Sequence, residues 1–346
     1  MKYYLISLNG YGEMFKKKFN NISLFSYAKK DHFDTIATSG RWGYLCLGKA
    51  LERGYYKLFD EEKNFPGEAY IRGWKDITKL GGKTFFLGRF MAQSEGKIIE
   101  ENVNISKKEI IELLNILSDN CKKFNFFLKN TLPILEFQKE FLQEEITFPD
   151  NMKNKEFTLN LYRNKELEDI KNLIVSSISI LENHPVNKVR QDLGEMQANL
   201  LWLWGMGRYK KAPDIRDTSK KELFYLPCEE HNLPLPEFLG FKRTDTIKNL
   251  PDNSLIWINS AVDKRSNYSV WLKQFERLDR EVIAFLVDEY NGGICRALFI
   301  FDGFISPDIE IKNCWAPFFY LSENIGRIRF RKKFKDSSFL LKLLLE

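Results

Sequence analysis

Histidine and cysteine, the residue types most often used as metal ligands and reactive nucleophiles, are scarce in this 346-residue chain. It has three histidines, His32, His184 and His231, far apart in sequence, whereas imidazole is the commonest protein ligand for catalytic zinc and manganese. A multi-histidine metal centre is therefore not expected. His231, in Cys228-Glu229-Glu230-His231-Asn232, has neighbours able to complete an isolated metal site, but with Pro234 and Pro236 following it the segment reads more simply as a solvated loop. His32 reads as a surface residue at a helix start. The five cysteines, Cys46, Cys121, Cys228, Cys295 and Cys314, form no C-x-x-C pair, which speaks against a disulfide framework or a thiolate metal site. Cys46, after Gly43-Tyr44-Leu45, reads as a buried apolar residue rather than a reactive thiol.

The surface offers two further segments. Arg327 to Lys335 carries six cations in nine residues with Ile328, Phe330 and Phe334 interleaved, including Arg327, Arg329 and Arg331. Such a strand suits nucleic acid, but a strand with one basic, solvated face accounts for the same pattern and is preferred. The net charge of +6, from 53 Lys and Arg against 47 Asp and Glu, is too mild to single out nucleic acid. The C-terminal Phe339-Leu340-Leu341-Lys342-Leu343-Leu344-Leu345 is too apolar to lie free in water and is expected to meet either its own domain or a partner. We take the partner as the expectation: a homo-oligomer or a second subunit held through the C-terminal segment, with Arg327, Arg329, Arg331, Phe339, Leu341 and Leu344 as the interface residues.

These residues sit on an ordinary packed chain, 44% hydrophobic and 29% charged. No apolar run reaches the ~18 residues of a membrane helix, and Tyr3 to Leu8 is too short for a signal-peptide core. A cytoplasmic protein is expected. Short β-branched and aromatic runs alternate with periodic stretches, as in an α/β sheet. The expected strands are 3–8, 84–92, 200–204, 254–259 and 296–301, several apolar on both faces as in a covered parallel sheet. Expected helices are 105–117, opened by a Ser106-Lys107-Lys108-Glu109 capping box, 166–181, and 278–290, ended by Asn291-Gly292-Gly293. Residues 121–155 read as helical in period and as part of an inserted domain.

His184-Pro185-Val186-Asn187, followed by Gln197-Ala198-Asn199-Leu200-Leu201-Trp202-Leu203-Trp204-Gly205-Met206-Gly207-Arg208, resembles the H-P-x-N and A-N-x-L-W-L-x-G-x-G-R signature of the archaeal-type cofactor-independent phosphoglycerate mutases, members of the alkaline phosphatase superfamily. The opening Leu8-Asn9-Gly10-Tyr11-Gly12 is similar to that family's first strand and D-G loop, Phe86 to Phe90 and Glu95 to Ile99 to its F-R-x-N-F and D-G-x-I-x-D segments, and Phe275 to Val282 to the helix after its D-E-x-x-H-D-G motif. The resemblance implies an alkaline-phosphatase-like α/β fold: a mostly parallel sheet flanked by helices, from residues 1–80 and 165–346, with a smaller inserted domain at 81–164.

It also implies two divalent metals and a phosphoryl-accepting serine. Placed residue by residue, that site looks degenerate. Its first aspartate falls on Asn9, the D-E-x-x-H-D-G motif on Ser260 to Ser266 with Lys264 for the histidine, or Asp263 after a shift of three, the G-D-H aspartate on Asp302 without its imidazole, and the last histidine near Asn313. No Ser or Thr occurs from Gly40 to Ile77, where the nucleophile should lie. Of the substrate-directed arginines only Arg89 remains as a possible phosphate ligand, and His184 is read as structural. The expectation is a chain without catalytic residues or metal, acting as a binding or assembly subunit. The alternative is an active mutase, phosphatase or phosphotransferase with two divalent metals in a site rebuilt from Asp263, Asp302, His231 and Cys46.

Overall fold

The computed structural model describes residues 1–46, 51–60, 64–77, 81–141, 152–156, 165–228, 234–262, 266–302, 315–322, 333–334 and 338–345. They form two compact units, one made of Met1–Phe65 and the chain from Ala212 onward, the other of Pro66–Lys211.

The first unit opens with β1 (Lys2–Asn9), α1 (Glu13–Lys16), the short hairpin β2 (Lys18–Phe19) and β3 (Ile22–Ser23), α2 (Leu24–Tyr27), α3 (Asp31–Ala37), β4 (Arg41–Cys46) and α4 (Leu51–Tyr56). The second unit contains α5 (Glu68–Gly73), β5 (Thr84–Ser94), β6 (Lys97–Glu100), α6 (Lys107–Asn120), β7 (Phe124–Lys129), β8 (Leu132–Phe137), α7 (Glu168–Glu182), α8 (Pro185–Asp192) and β9 (Leu200–Arg208). The first then resumes with α9 (Ile215–Ser219), β10 (Glu222–Pro227), α10 (Pro234–Phe238), β11 (Lys242–Arg243), β12 (Ser254–Ala261), α11 (Tyr268–Leu278), α12 (Ala284–Asn291), β13 (Cys295–Phe301), β14 (Trp315–Leu321), β15 (Lys333–Phe334) and α13 (Ser338–Leu345).

The first unit is the expected mostly parallel sheet, in the order β11-β10-β12-β1-β13-β14-β4-β15. Pairings from β11 across to β13 are parallel, and β14 runs antiparallel to both β13 and β4. β1, β12 and β13 are buried along nearly their whole length, which is why they read as apolar runs without alternation. One face packs on α2, α3, α11 and α12 through an aromatic cluster in which Phe33 meets Phe25, Phe275, Phe299, Phe301 and Phe319. α11 and α12 are joined by a π-helical turn, Asp279–Ile283, so the helix expected at 278–290 starts ten residues earlier, at Tyr268.

The second unit is an antiparallel sheet centred on β5, which pairs with β6, β8 and β9, with α6, α7 and α8 alongside. The capping box at Ser106 and Glu109 forms as expected. Two expectations are corrected here. Residues 124–137 form a β-hairpin, not helix: Asn130 adopts a left-handed turn conformation at φ 57°, Phe124 lies opposite Phe137, and the Phe137 ring stacks on Phe124 at 4.9 Å and on Phe141 at 5.4 Å. Cross-strand ring contacts outweigh the weak helical spacing. The insertion is also larger than 81–164, because β9 completes the sheet of β5 and α7 and α8 pack with it.

The C-terminal segment is corrected as well. α13 lies against β13, Leu340 and Leu344 are fully buried and Leu341 nearly so, and Tyr320 donates a hydrogen bond to the Leu343 carbonyl at 2.9 Å. Leu341 and Leu344 are therefore core residues of their own unit rather than an interface. The side chain of Phe339 and the arginines Arg327, Arg329 and Arg331 lie outside the described residues.

Candidate functional site

Three parallel strands end together, and their carboxyl ends collect the polar residues. Leu8 of β1 lies level with Ser260 of β12 and Phe301 of β13, so Asn9, Asn259, Ser260 and Asp302 gather at one edge, where open α/β sheets bind ligands. The loop after β1 folds onto Asp302. The Gly10 N–H donates to Asp302 Oδ1 at 2.8 Å and the Gly12 N–H to the Asp302 carbonyl at 2.6 Å. A Cβ on residue 12 would stand 2.6 Å from that carbonyl oxygen, so only glycine admits this approach.

Tyr55 of α4, fully buried, donates to Asp302 Oδ2 at 2.7 Å. Burial pushes the Asp302 carboxyl up to about 7 against the two donors, Tyr55 and Gly10, which pull it down. Burial, followed by the Asp302 carboxyl, holds the Tyr55 phenol well above its ordinary range, so it remains a donor. Beside this pair runs a neutral network. The Trp257 indole N–H donates to Ser7 Oγ at 2.9 Å, the Ser7 hydroxyl to Asn259 Oδ1 at 2.8 Å, and Asn9 Nδ2 to the same Asn259 oxygen at 2.8 Å. The Ser260 and Tyr11 hydroxyls pair at 2.9 Å.

Of the positions named from sequence, the fold thus assembles Asn9, Ser260 and Asp302. Arg89 lies in the other unit, half-buried on β5 opposite Trp202. Asp263, Lys264, Asn313 and His231, and the side chain of Cys46, lie outside the described residues. The remaining histidines do structural work. His32 Nδ1 stands 3.0 Å from Asp279 Oδ2, and that buried carboxylate also accepts the His32 and Phe33 N–H groups at the start of α3. His184 N-caps α8 by accepting the Val186 N–H, ahead of Pro185 in the first turn.

Ser7, Tyr55, Trp257 and Asn259 escaped notice in the sequence. The absence of Ser and Thr from 40–77 implied that no hydroxyl would reach the site from there; the structure brings a phenolic one, Tyr55. Its only local signal is the tyrosine pair Tyr55-Tyr56.

A two-cation centre needs several anionic or imidazole ligands with free lone pairs. The residues described here do not fit one. They supply a single carboxyl, each of whose oxygens already accepts a hydrogen bond, and otherwise amides and hydroxyls. Among the described residues no three His, Cys, Asp or Glu side chains gather in a metal-binding group. Asn9 Oδ1 is buried without a hydrogen-bond partner, a neutral oxygen where the resemblance implies an aspartate.

The signature that carried the resemblance proves architectural. Asn187, fully buried, donates to the Leu181 and Ala198 carbonyls at 2.8 and 3.1 Å and accepts the Ala198 N–H at 2.7 Å, clamping α8 to the start of β9. Asn199 exchanges two bonds with the Gln93 backbone, at 2.9 and 3.0 Å. A Cβ at Gly207 would come within 2.7 Å of the Tyr70 nitrogen, so the G-x-G-R end of the signature lets α5 approach β9.

A mostly parallel sheet with a polar carboxyl edge, interrupted by a second α/β unit, is the fold of the cofactor-independent phosphoglycerate mutases. The chain superposes on such an enzyme from Thermoplasma acidophilum with a TM-score of 0.54 and 15% identity, covering 100% of this chain and 99% of that one. It matches a protein of Pyrococcus horikoshii with a TM-score of 0.64 and 14% identity over 99% and 96% of the two chains. Its sequence homologues are archaeal 2,3-bisphosphoglycerate-independent phosphoglycerate mutases: one from Methanocaldococcus jannaschii, 20% identical over 271 residues, and one from Methanosarcina mazei, 37% identical over 223 residues. The matches cover 69% and 60% of this chain and 63% and 55% of those relatives, so less than two thirds of each relative is spanned. No protein-family model matches the chain. Among the described residues no helix is long and apolar enough to cross a membrane.

Proposed function

We propose that this chain is a catalytically degenerate relative of the cofactor-independent phosphoglycerate mutases, retained as a non-catalytic binding or assembly subunit. The observation that carries the reading is the state of Asp302. Its two oxygens are engaged by the Gly10 N–H and the Tyr55 hydroxyl, and the strand ends around it offer the neutral groups of Asn9, Asn259 and Ser260. Phosphoryl transfer needs a nucleophile and a preorganised positive field for the charge on the moving group. The hydroxyl that reaches this edge from the 40–77 stretch is a buried phenol held in its protonated form, which is the wrong state for attack. The retained signature residues cap α8 (His184), tie it to the start of β9 (Asn187), bind that start to β5 (Asn199) and admit α5 against β9 (Gly207), so their presence speaks for the fold and is silent on catalysis.

The test is interconversion of 2- and 3-phosphoglycerate by the purified full chain with manganese supplied. We expect no turnover above the protein-free control. Turnover that disappears in an Asp302→Ala variant prepared alongside would overturn the reading.

A further inference from the structure

The misfit between the strand ends and a pair of cations raises the question of what holds this edge together. Tyr55 anchors the described part of α4 there. Tyr55 is fully buried, its hydroxyl lies 2.7 Å from Asp302 Oδ2, and its ring packs against Trp257 with centroids 5.6 Å apart. Trp257 is in turn tied through its indole N–H to Ser7, and through Ser7 to Asn259 and Asn9. Phe59, just beyond α4, stacks on the same indole at 5.4 Å. A continuous path of rings and hydrogen bonds thus runs from α4 into β1, β12 and the end of β13.

We propose that the carboxyl edge of β1, β12 and β13 has become the seat of helix α4, with Tyr55 as a built-in occupant standing at Asp302 where a bound cation would otherwise be required. The inference rests on the non-catalytic reading and adds a named residue to it. A cation that took the phenol's place at Oδ2 would leave a buried hydroxyl without its acceptor. A cation approaching Oδ1 meets the Gly10 N–H, a donor pointing the wrong way. Tyr55 is thus a positioning residue: it acts through Asp302 on the helix that carries it.

The experiment has two arms, neither of which reads activity. In the first, the thermal midpoint of the full chain is measured in EDTA and in excess manganese. A ligand that binds the folded state raises the midpoint by mass action, so the expected result is agreement within about one degree. A fall in EDTA, or a rise of several degrees in manganese that Asp302→Ala abolishes, overturns the proposal and the non-catalytic reading with it. In the second arm, amide hydrogen exchange in residues 51–56 is compared between the native chain and Tyr55→Phe. Loss of the anchor should speed exchange there about tenfold or more while β1 and β12 remain protected. Unchanged exchange in Tyr55→Phe overturns the anchoring role and leaves the non-catalytic reading standing. Tyr55→Phe removes a single oxygen, so this arm remains decisive if Asp302→Ala does not fold.

Discussion

Asp302→Asn keeps the shape of the buried side chain and removes its titration. The amide can still accept the Gly10 N–H, now 2.8 Å from Oδ1, and its NH2 can donate to the Tyr55 oxygen, so the edge keeps its two bonds with one reversed. In the native chain burial raises this carboxyl from its ordinary 3.8 to about 7. Because the folded state holds the proton more tightly than the unfolded chain, the associated stability is fully present below about pH 4, declines as pH rises, and is gone above about pH 7. At about 1.4 kcal/mol per pH unit the loss amounts to at most about 4 kcal/mol. The variant has no such group. Urea unfolding of both proteins at pH 5, 6, 7 and 8 should therefore show Asp302→Asn gaining on the native chain by about 1.4 kcal/mol per unit between pH 5 and 7, then running parallel to it. A difference that is flat from pH 5 to 8, or that moves in favour of the native chain as pH rises, would show Asp302 to be ionised and paired in the folded state and would refute the reasoning.

Asn187→Ala should cost about 2–4 kcal/mol, since it deletes three bonds to backbone groups and leaves the Ala198 N–H buried without its acceptor, and urea unfolding would read it. Leu344→Ala, at a fully buried position, should cost about 2–5 kcal/mol and leave the sedimentation behaviour unchanged; a change of oligomeric state at native stability would restore the idea of an interface at α13. Mutase activity of the native chain should be absent, as the phosphoglycerate assay described above will read.

Much of the first unit was legible from local pattern. β1, β12 and β13 are covered on both faces, so their sequences had to be unbroken apolar runs, and no distant information was needed to find them. The capping box of α6 was equally local, two side chains three residues apart each satisfying the other's backbone. The family resemblance put Asn9, Ser260 and Asp302 in one site, and the fold brings them together because their strands end in register. The β7–β8 hairpin was hidden because its stability lies in pairs such as Phe124 with Phe137, which a helical period mimics at short range. The leucines of α13 were recognisable as needing cover, but composition is indifferent to whether that cover is another subunit or β13. Tyr55 was the furthest from view. It meets Asp302 across 247 residues of chain, and a tyrosine pair in a short helix carries no mark of its destination. Hydrophobic burial is specified by periodicity that neighbouring residues share. The meeting of one hydroxyl with one carboxyl is specified only by the packing of whole elements, so the identity of the occupant at Asp302 belongs to the tertiary structure alone.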